Sequence, residues 1–356
     1  GTVDNTATAA CRYKKTADSP WATGHPLFRI QPSYSTSPAV GGALNDDFAW
    51  TIIDLDENTS YDVEVTVDDG IGQEIKTLTA STRALPAPAG TPNKTATTAG
   101  EIATQFASLN AGDVLEIADG NYTVSSLTLN RSGTSGNLIY IRGESRDGCV
   151  LTDTTGNIIE LQDVNYVVFE NMTLVGSESD SGTAASSRAF YQQEQSYDST
   201  EVTIRNITMT GVDNGVHYYG ECYSCLVYDC TITGNNLWST SPTNFLGSNI
   251  TWNDDGVHLP GEGNCGFNIT IDGFGDTFAY SSHSGDSTLT EAISIHYYRN
   301  EIRNSCDDPI EVDHARRNCT WYDNRVHNAI NCDSVDPLYG GPWISARNTV
   351  INPYRV

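Results

Sequence analysis

The sequence predicts an all-β protein in which a small β-sandwich precedes a parallel β-helix. Three observations carry that expectation. An apolar strand, an Asn and a second short strand recur as Val168-Phe-Glu-Asn171-Met-Thr-Leu, Thr203-Ile-Arg-Asn206-Ile-Thr-Met, Cys265-Gly-Phe-Asn268-Ile-Thr-Ile, Tyr297-Tyr-Arg-Asn300-Glu-Ile-Arg, Trp321-Tyr-Asp-Asn324-Arg-Val-His and Ser345-Ala-Arg-Asn348-Thr-Val-Ile. Asn300, Asn324 and Asn348 stand 24 residues apart, as do Asn206 and Cys230, which is the period of one solenoid coil. Gly, Asn, Ser, Thr and Asp are plentiful, as many tight turns require.

In chain order, Tyr61, Val63, Val65 and Val67 alternate with polar residues, so the stretch Trp50–Val67 reads as a half-buried strand of the sandwich. A closing strand is expected over Lys76–Arg83. Leu55 with Thr59 and Tyr61 resembles the tyrosine corner of fibronectin type III domains, which implies such a domain over residues 1–84 with a spacing or adhesive role. Three prolines in Ala84–Pro92 predict a semi-rigid linker over residues 85–95. Thr98 with Glu101 forms a capping box, and Ile102, Phe106 and Leu109 recur at helical spacing, so a short helix covers the first coil of a domain spanning residues 96–356. A bare coil end exposes unpaired backbone groups. The last residues, Asn348–Val356, show no such cover, which predicts that the chain continues or that copies associate end to end as in a fibre.

If the Asn residues stack in one file, each passes amide hydrogen bonds along the axis, and the sequons at Asn171, Asn206 and Asn268 are buried. This repeat resembles the pectate-lyase-like superfamily of right-handed parallel β-helices. Asn110-Ala-Gly-Asp-Val-Leu-Glu-Ile-Ala-Asp-Gly-Asn-Tyr-Thr-Val124, Leu127-Thr-Leu and Gly136-Asn-Leu-Ile-Tyr-Ile-Arg-Gly143 are similar to the first coils of its alginate lyase and chondroitinase B branch. Asp307–Asp313 and Leu338–Pro342 are similar to exported bacterial β-helix proteins. The resemblance implies a polysaccharide or glycan partner; lyases, hydrolases, epimerases and adhesins all share the fold.

Asp and Glu number 45 against 19 Lys and Arg, a net charge of −26, which repels nucleic acid and anionic membrane surfaces. No apolar run is long enough for a membrane span. Nine Cys predict disulfides and an extracellular or cell-surface setting, with Cys222-x-x-Cys225 read as structural rather than metal-binding. Of the Asn-x-Ser/Thr sequons, Asn58, Asn93, Asn121, Asn130 and Asn318 are the candidate glycosylation positions.

Chemistry is expected at acidic corners: Asp213-Asn-Gly-Val-His217, Asp254-Asp-Gly-Val-His258, Gly275-Asp-Thr-Phe278, Asp307-Asp-Pro-Ile-Glu311 and Cys332-Asp-Ser-Val-Asp336. Stacked coils would make a column of Asn214, Asp255, Asp276, Asp308 and Asp333, flanked by His217, His258 and Glu311. Tight turns favour Asp and Asn before Gly whatever their chemistry, but a ladder of carboxylates repels itself unless neutralised. Hard oxygen ligands suit Ca2+, with Asp255, Asp276, Asp308, Glu311 and Asp313 as the candidate ligands. In the lyases of the superfamily, calcium or Arg neutralises the uronate while a base removes the adjacent proton. That implies His258 or His314 as base and Arg316 or Arg317 against the sugar carboxylate, with Asp255 and Asp308 in the catalytic group. A hydrolase would use Asp255 and Asp308, two coils and ~10 Å apart, although the Gly-His-Gly and Arg-x-Lys of polygalacturonases are missing. All four Lys (Lys14, Lys15, Lys76, Lys94) precede the coils, so the Lys–Arg pair of the alginate lyase branch has no counterpart here. Aromatic residues near the corners, among them Tyr218, Tyr219, Trp238, Trp252, Tyr280, Tyr297, Tyr298, Trp321, Tyr339 and Trp343, either stack on sugar rings or pack the core. The functional expectation is calcium-assisted binding or β-elimination of an acidic polysaccharide; the alternative is a non-catalytic subunit of an extracellular filament or surface layer.

Overall fold

The computed structural model describes residues 6–18, 20–30, 47–153, 156–176, 187–194, 196–234, 255–280, 292–313, 315–335 and 341–353. In the N-terminal part, strands Ala22–Thr23, Thr8–Lys15, Ser60–Asp68 and Gln73–Ser81 form an antiparallel sheet in that order, and Phe28–Ile30 pairs with Asp47–Ala49. The strand expected from Trp50 begins only at Ser60 because Asp54 and Asn58 adopt φ of 61° and 47° and turn the chain first. Tyr61 is buried, and its hydroxyl accepts a hydrogen bond from the Asp56 backbone N–H at 2.9 Å, as a tyrosine corner requires.

The helix Ala99–Phe106 follows, with Thr98 Oγ1 accepting from Glu101 N at 3.2 Å. Glu101 reaches back to Thr97 N at 2.7 Å. Ile102 and Phe106 are buried over the first coil, satisfying the expectation of a cap.

Beyond the helix, every strand pairing between coils is parallel. Leu127–Leu129, Asn157–Leu161, Arg188–Gln192, Asn214–Tyr218, Asp255–His258 and Asp276–Ala279 form one six-stranded sheet, and the remaining coil strands a larger 21-stranded one. Sequence neighbours contribute successive rungs, which is a parallel β-helix. Its interior is a continuous apolar file, with Phe169, Phe190, Val216, Phe278, Tyr297 and Trp321 at 1% exposure or less. Tyr218, Tyr280, Tyr297 and Trp321 therefore pack the core, whereas Trp238, Trp252 and Tyr339 lie outside the described residues.

The Asn residues do not form a single file. Pairing of Glu301 with Thr270 and of Thr270 with Thr231 places Asn300 beside Ile269 and Cys230, one position inward of Asn268. Asn171, Asn206, Asp229, Asn268, Arg299, Asp323 and Arg347 instead occupy one corner, all at φ between 51° and 58°. Asn and Asp tolerate this left-handed conformation best, which explains the motif. The interior ladder is Asn300, Asn324 and Asn348, the first two buried and the last half-buried: Asn324 Oδ1 accepts from Asn300 Nδ2 and N, both at 3.0 Å, and Asn348 Oδ1 accepts from Asn324 Nδ2 at 3.0 Å. Asn268 is consequently exposed and Asn171 and Asn206 half-buried, not buried as a single file would have them. A third file, Asn304, Asn328 and Asn352, turns another corner at φ of 54°, 60° and 59°, with side-chain amides linked at 2.9 and 2.8 Å. Substituting Asn324 with Ala strands the donors of Asn300 and is expected to cost about 2–4 kcal/mol in chemical denaturation; a loss below about 1 kcal/mol would show the ladder to be ornamental.

The proline-rich stretch is held against the coils. Arg205 Nη1 and Nη2 donate to the carbonyls of Pro86 and Ala87 at 2.6 and 3.0 Å, and Tyr140 Oη donates to Ala87 O at 3.0 Å. Already at Lys94–Ala96 the chain is a strand paired with Val114–Ile117. The nine cysteines are all free thiols, which corrects the expectation of disulfides. Cys149, Cys222, Cys225, Cys230, Cys306 and Cys319 are buried and fill the core as small apolar groups, with burial pushing the Cys149, Cys230 and Cys319 thiols up to about 12.

Candidate functional site

The six-stranded sheet brings the acidic corners together. Backbone register aligns Asn157 with Arg188, Arg188 with Asn214, and Asp255 with Asp276. Alongside, Tyr191 aligns with His217, His217 with His258, His258 with Ala279, and Ala279 with Glu311. The motif Asp/Asn-x-x-His thus supplies two neighbouring rows, one acidic and one imidazole-bearing.

Glycine fixes this spacing. A Cβ on Gly256 would lie 2.6 Å from Thr277 O and 3.1 Å from Ile271 Cγ2, and one on Gly215 would collide with Gly256 O. Both positions therefore permit the next coil to approach closely, which lets Asp255 and His258 share one patch. Gly256→Ala is expected to destabilise by about 1–3 kcal/mol through overpacking, which calorimetry reads.

Three overlapping groups result, each with ligand-capable atoms within 4.8 Å of one another: His217, Asp255 and His258; Asp255, Asp276 and Glu311; and Asp276, Asp307 and Asp308. Asp255, His258 and Asp276 are 1–3% exposed. His217 Nδ1 lies 2.7 Å from Asp255 Oδ2 and keeps 13% side-chain exposure, so it stands at the rim. Burial first, then the charges of Glu311 and Asp255, hold the Asp276 carboxyl far above its ordinary range. Burial and the Asp255 charge push Glu311 up to about 8, and burial with Asp308 beside it pushes Asp307 up to about 6. Asp308 is raised by burial, partly offset by the hydrogen bond from Asn331 Nδ2 at 2.9 Å. Ionising several of these acids together is unfavourable without a cation.

The column predicted from sequence forms through Asn214, Asp255, Asp276 and Asp308, but Asn331 follows Asp308, and Asp333 is exposed further along. Asp313 lies outside the three groups, with Ser334 Oγ 3.5 Å from its carboxylate. Arg317 is exposed on Ala315–Arg317, a strand of the larger sheet, away from the acidic rows. His314 and the Arg316 side chain lie outside the described residues, as does Asp254. Asn318 is half-buried, with its Oδ1 enclosed and φ of 56°, a poor acceptor for a glycan; Asn58, Asn93, Asn121 and Asn130 are at least partly exposed.

Arg188 and Tyr191, which sequence reasoning passed over, and Tyr219, one of its candidate aromatic residues, complete the face. The Arg188 guanidinium lies 4.1 Å from the Tyr191 ring centre, and its Nε donates to Asn214 Oδ1 at 3.0 Å. Tyr191 and Tyr219 flank His217 with ring centres at 5.7 and 5.2 Å, and Tyr219 is 39% exposed. Arg188 begins its strand without an Asp-Gly corner, so no motif marked it; only register reveals its row. A separate exterior file, Tyr228, Phe267, Tyr298 and Tyr322, stacks face to face at 4.8–5.0 Å. Because the rings cover one another's faces, the inner ones present only edges, and they are not a platform for sugar.

No family model matches the chain, and no curated protein matches it in sequence. Among solved structures, an alginate lyase from Paenibacillus sp. is similar at 12% identity and TM-score 0.45, covering 73% of this chain and 95% of that one. A family 28 exopolygalacturonase from Yersinia enterocolitica gives 12% identity and TM-score 0.46, over 99% and 83% of the two chains. The A-module of a mannuronan C-5 epimerase from Azotobacter vinelandii gives 14% identity and TM-score 0.40, over 66% and 70%. Likenesses this distant carry no argument about chemistry, and the parallel β-helix rests on the strand register described above.

Proposed function

We propose that the six-stranded face binds an acidic polysaccharide with the help of a calcium ion and cleaves it by β-elimination. The observation that carries this reading is the stack of overlapping carboxylate groups on consecutive coils, with a rim imidazole and an Arg in the adjoining rungs. The donor set suits the ion: Asp255, Asp276 and Glu311 offer only oxygen within 4.8 Å, and Asp307 and Asp308 extend it. Bound there, calcium would withdraw charge from a uronate carboxylate and so acidify its α-proton.

This chain's own residues supply the rest. Arg188 pairs with the uronate carboxylate from the Asn214 side. His217, whose Nδ1 faces Asp255, takes the proton from the carbon next to that carboxylate through Nε2. As the new carbon–carbon double bond forms, the glycosidic C–O bond at the adjacent carbon breaks. Tyr219 donates its hydroxyl proton to the leaving oxygen. His258, at 1% exposure, positions His217 at a ring distance of 4.6 Å and does not meet substrate.

Incubation with a panel of uronate polysaccharides, with calcium or with chelator, tests the reading through absorbance of unsaturated ends and through reducing sugar. Calcium-dependent unsaturated ends are expected. Reducing ends without unsaturation would replace elimination by hydrolysis between the carboxylates, and neither product nor retained polymer would overturn the reading.

A further inference from the structure

We infer that His217, Asp255 and His258 form a second metal site, one that takes a borderline transition cation of the Zn2+ class rather than calcium, and that Asp255 lies between the two sites. The inference deepens the reading of this face proposed above, but its binding claim stands on geometry alone.

The donor chemistry changes along the face. At one end, Asp255, Asp276 and Glu311 present oxygen only; at the other, two imidazoles and one carboxylate meet, all within 4.8 Å. Imidazole nitrogen favours Zn, Cu, Fe and Ni, whereas carboxylates alone favour Ca, Mg and Mn. Three protein ligands with two nitrogens match an open zinc site, whose fourth position stays available. Ligands ~2.0–2.1 Å from a tetrahedral ion stand roughly 3.3 Å apart, and the three donor atoms lie within 4.8 Å of one another, so an ion would replace the 2.7 Å contact between His217 Nδ1 and Asp255 Oδ2.

The fold imposes this arrangement. His217 and His258 are register partners on adjacent coils, and their rings meet edge to face at 4.6 Å and 62°. Stacking of the Gly-Val-His corners therefore delivers both imidazoles to one place, with their donor atoms and that of Asp255 inside 4.8 Å. His258 and Asp255 are buried while His217 is at the rim, which gives the ion an entry path. Tyr191 and Tyr219 flank the rim imidazole, with ring centres at 5.7 and 5.2 Å.

A functional consequence follows. A metal bound by His217 withholds that imidazole from proton abstraction, so a Zn2+-class ion is expected to inhibit the cleavage that calcium supports. One face would then read two cations with opposite effects.

The test uses the full chain, stripped of metal with chelator and titrated separately with Co2+, Zn2+ and Ca2+. Co2+ is expected to develop the intense visible bands of a nitrogen-containing site of low coordination number, and Zn2+ to abolish them. His217→Ala, a rim substitution, is expected to weaken Zn2+ binding at least about 10-fold and to change Ca2+ binding less than about 3-fold; Asp276→Asn is expected to do the reverse. His258→Gln gives a second reading, with circular dichroism checking that each variant is folded. Visible bands that are absent, or unchanged in His217→Ala, would overturn the inference and leave calcium binding and cleavage untouched. Loss of the calcium response with the Co2+ bands intact would sink the proposed function and leave the second site standing. Zn2+ that binds as inferred yet does not slow cleavage would remove the inhibitory role.

Discussion

Replacing His217 with alanine is expected to lower turnover on a susceptible uronate polymer about 100- to 10,000-fold, the span that a positioned general base contributes. The loss should fall on kcat rather than on KM, because uronate binding is assigned to the cation and to Arg188. His217 is the imidazole of the pair at the rim, with 13% side-chain exposure and Asp255 Oδ2 2.7 Å from its Nδ1. Initial rates of unsaturated-end formation measure the effect, and thermal unfolding confirms that the rim substitution leaves the fold intact. A decrease of less than 10-fold would move the base to another residue on the same face.

The second large effect concerns pH and calcium. Glu311 has a folded-state pKa of about 8 against an ordinary value near 4.5, and Asp276 and Asp307 are raised as well. A carboxyl raised by folding contributes stability that is fully present below its unfolded pKa and is lost as pH rises through the folded one. With chelator present, stability is therefore expected to fall between about pH 4.5 and pH 8, by an amount on the order of a few kcal/mol. Calcium requires the ionised acids, so its stabilising effect should grow across the same interval, and binding near pH 7 should release protons. Calorimetric titrations in two buffers of different ionisation heat count those protons. A calcium response that is equal at pH 5 and pH 8, with no protons released, would remove Asp276 and Glu311 from the ligand set.

Much of the architecture was legible because two physical constraints leave marks in sequence. Left-handed corners select Asn and Asp, and a solenoid repeats them at the length of one coil; hence Asn300, Asn324 and Asn348 announced the fold. The same marks misled over register. Asn171, Asn206 and Asn268 serve the strained corner itself, whereas Asn300, Asn324 and Asn348 sit one residue inward in the interior ladder. A corner Asn and an interior Asn look alike when only the letter and its apolar neighbours are visible. Arg299 and Arg347 hold the corner conformation in the later coils, which hid the offset.

The candidate site was half legible. Asp-Gly-Val-His, Gly-Asp-Thr-Phe and Asp-Pro-Ile-Glu corners named Asp255, His258, Asp276, Asp308 and Glu311, and the coils bring them together. Arg317, close to the same acids in sequence, follows the turn onto another sheet and points elsewhere. Arg188 and Tyr191 belong to the face through register alone, and a single sequence does not display register; Tyr219, next to the His217 corner, was visible as a candidate aromatic. The cysteines were misread because a buried thiol in a packed coil satisfies the same core demand as a small apolar residue.

The central claim is that stacked corners build one cation-holding face. A crystal structure determined after calcium soaking, with long-wavelength anomalous data to locate the ion, tests it most directly. An anomalous peak bounded by the carboxylates of Asp255, Asp276 and Glu311 is expected. Ordered carboxylates with no peak between them at saturating calcium would contradict it.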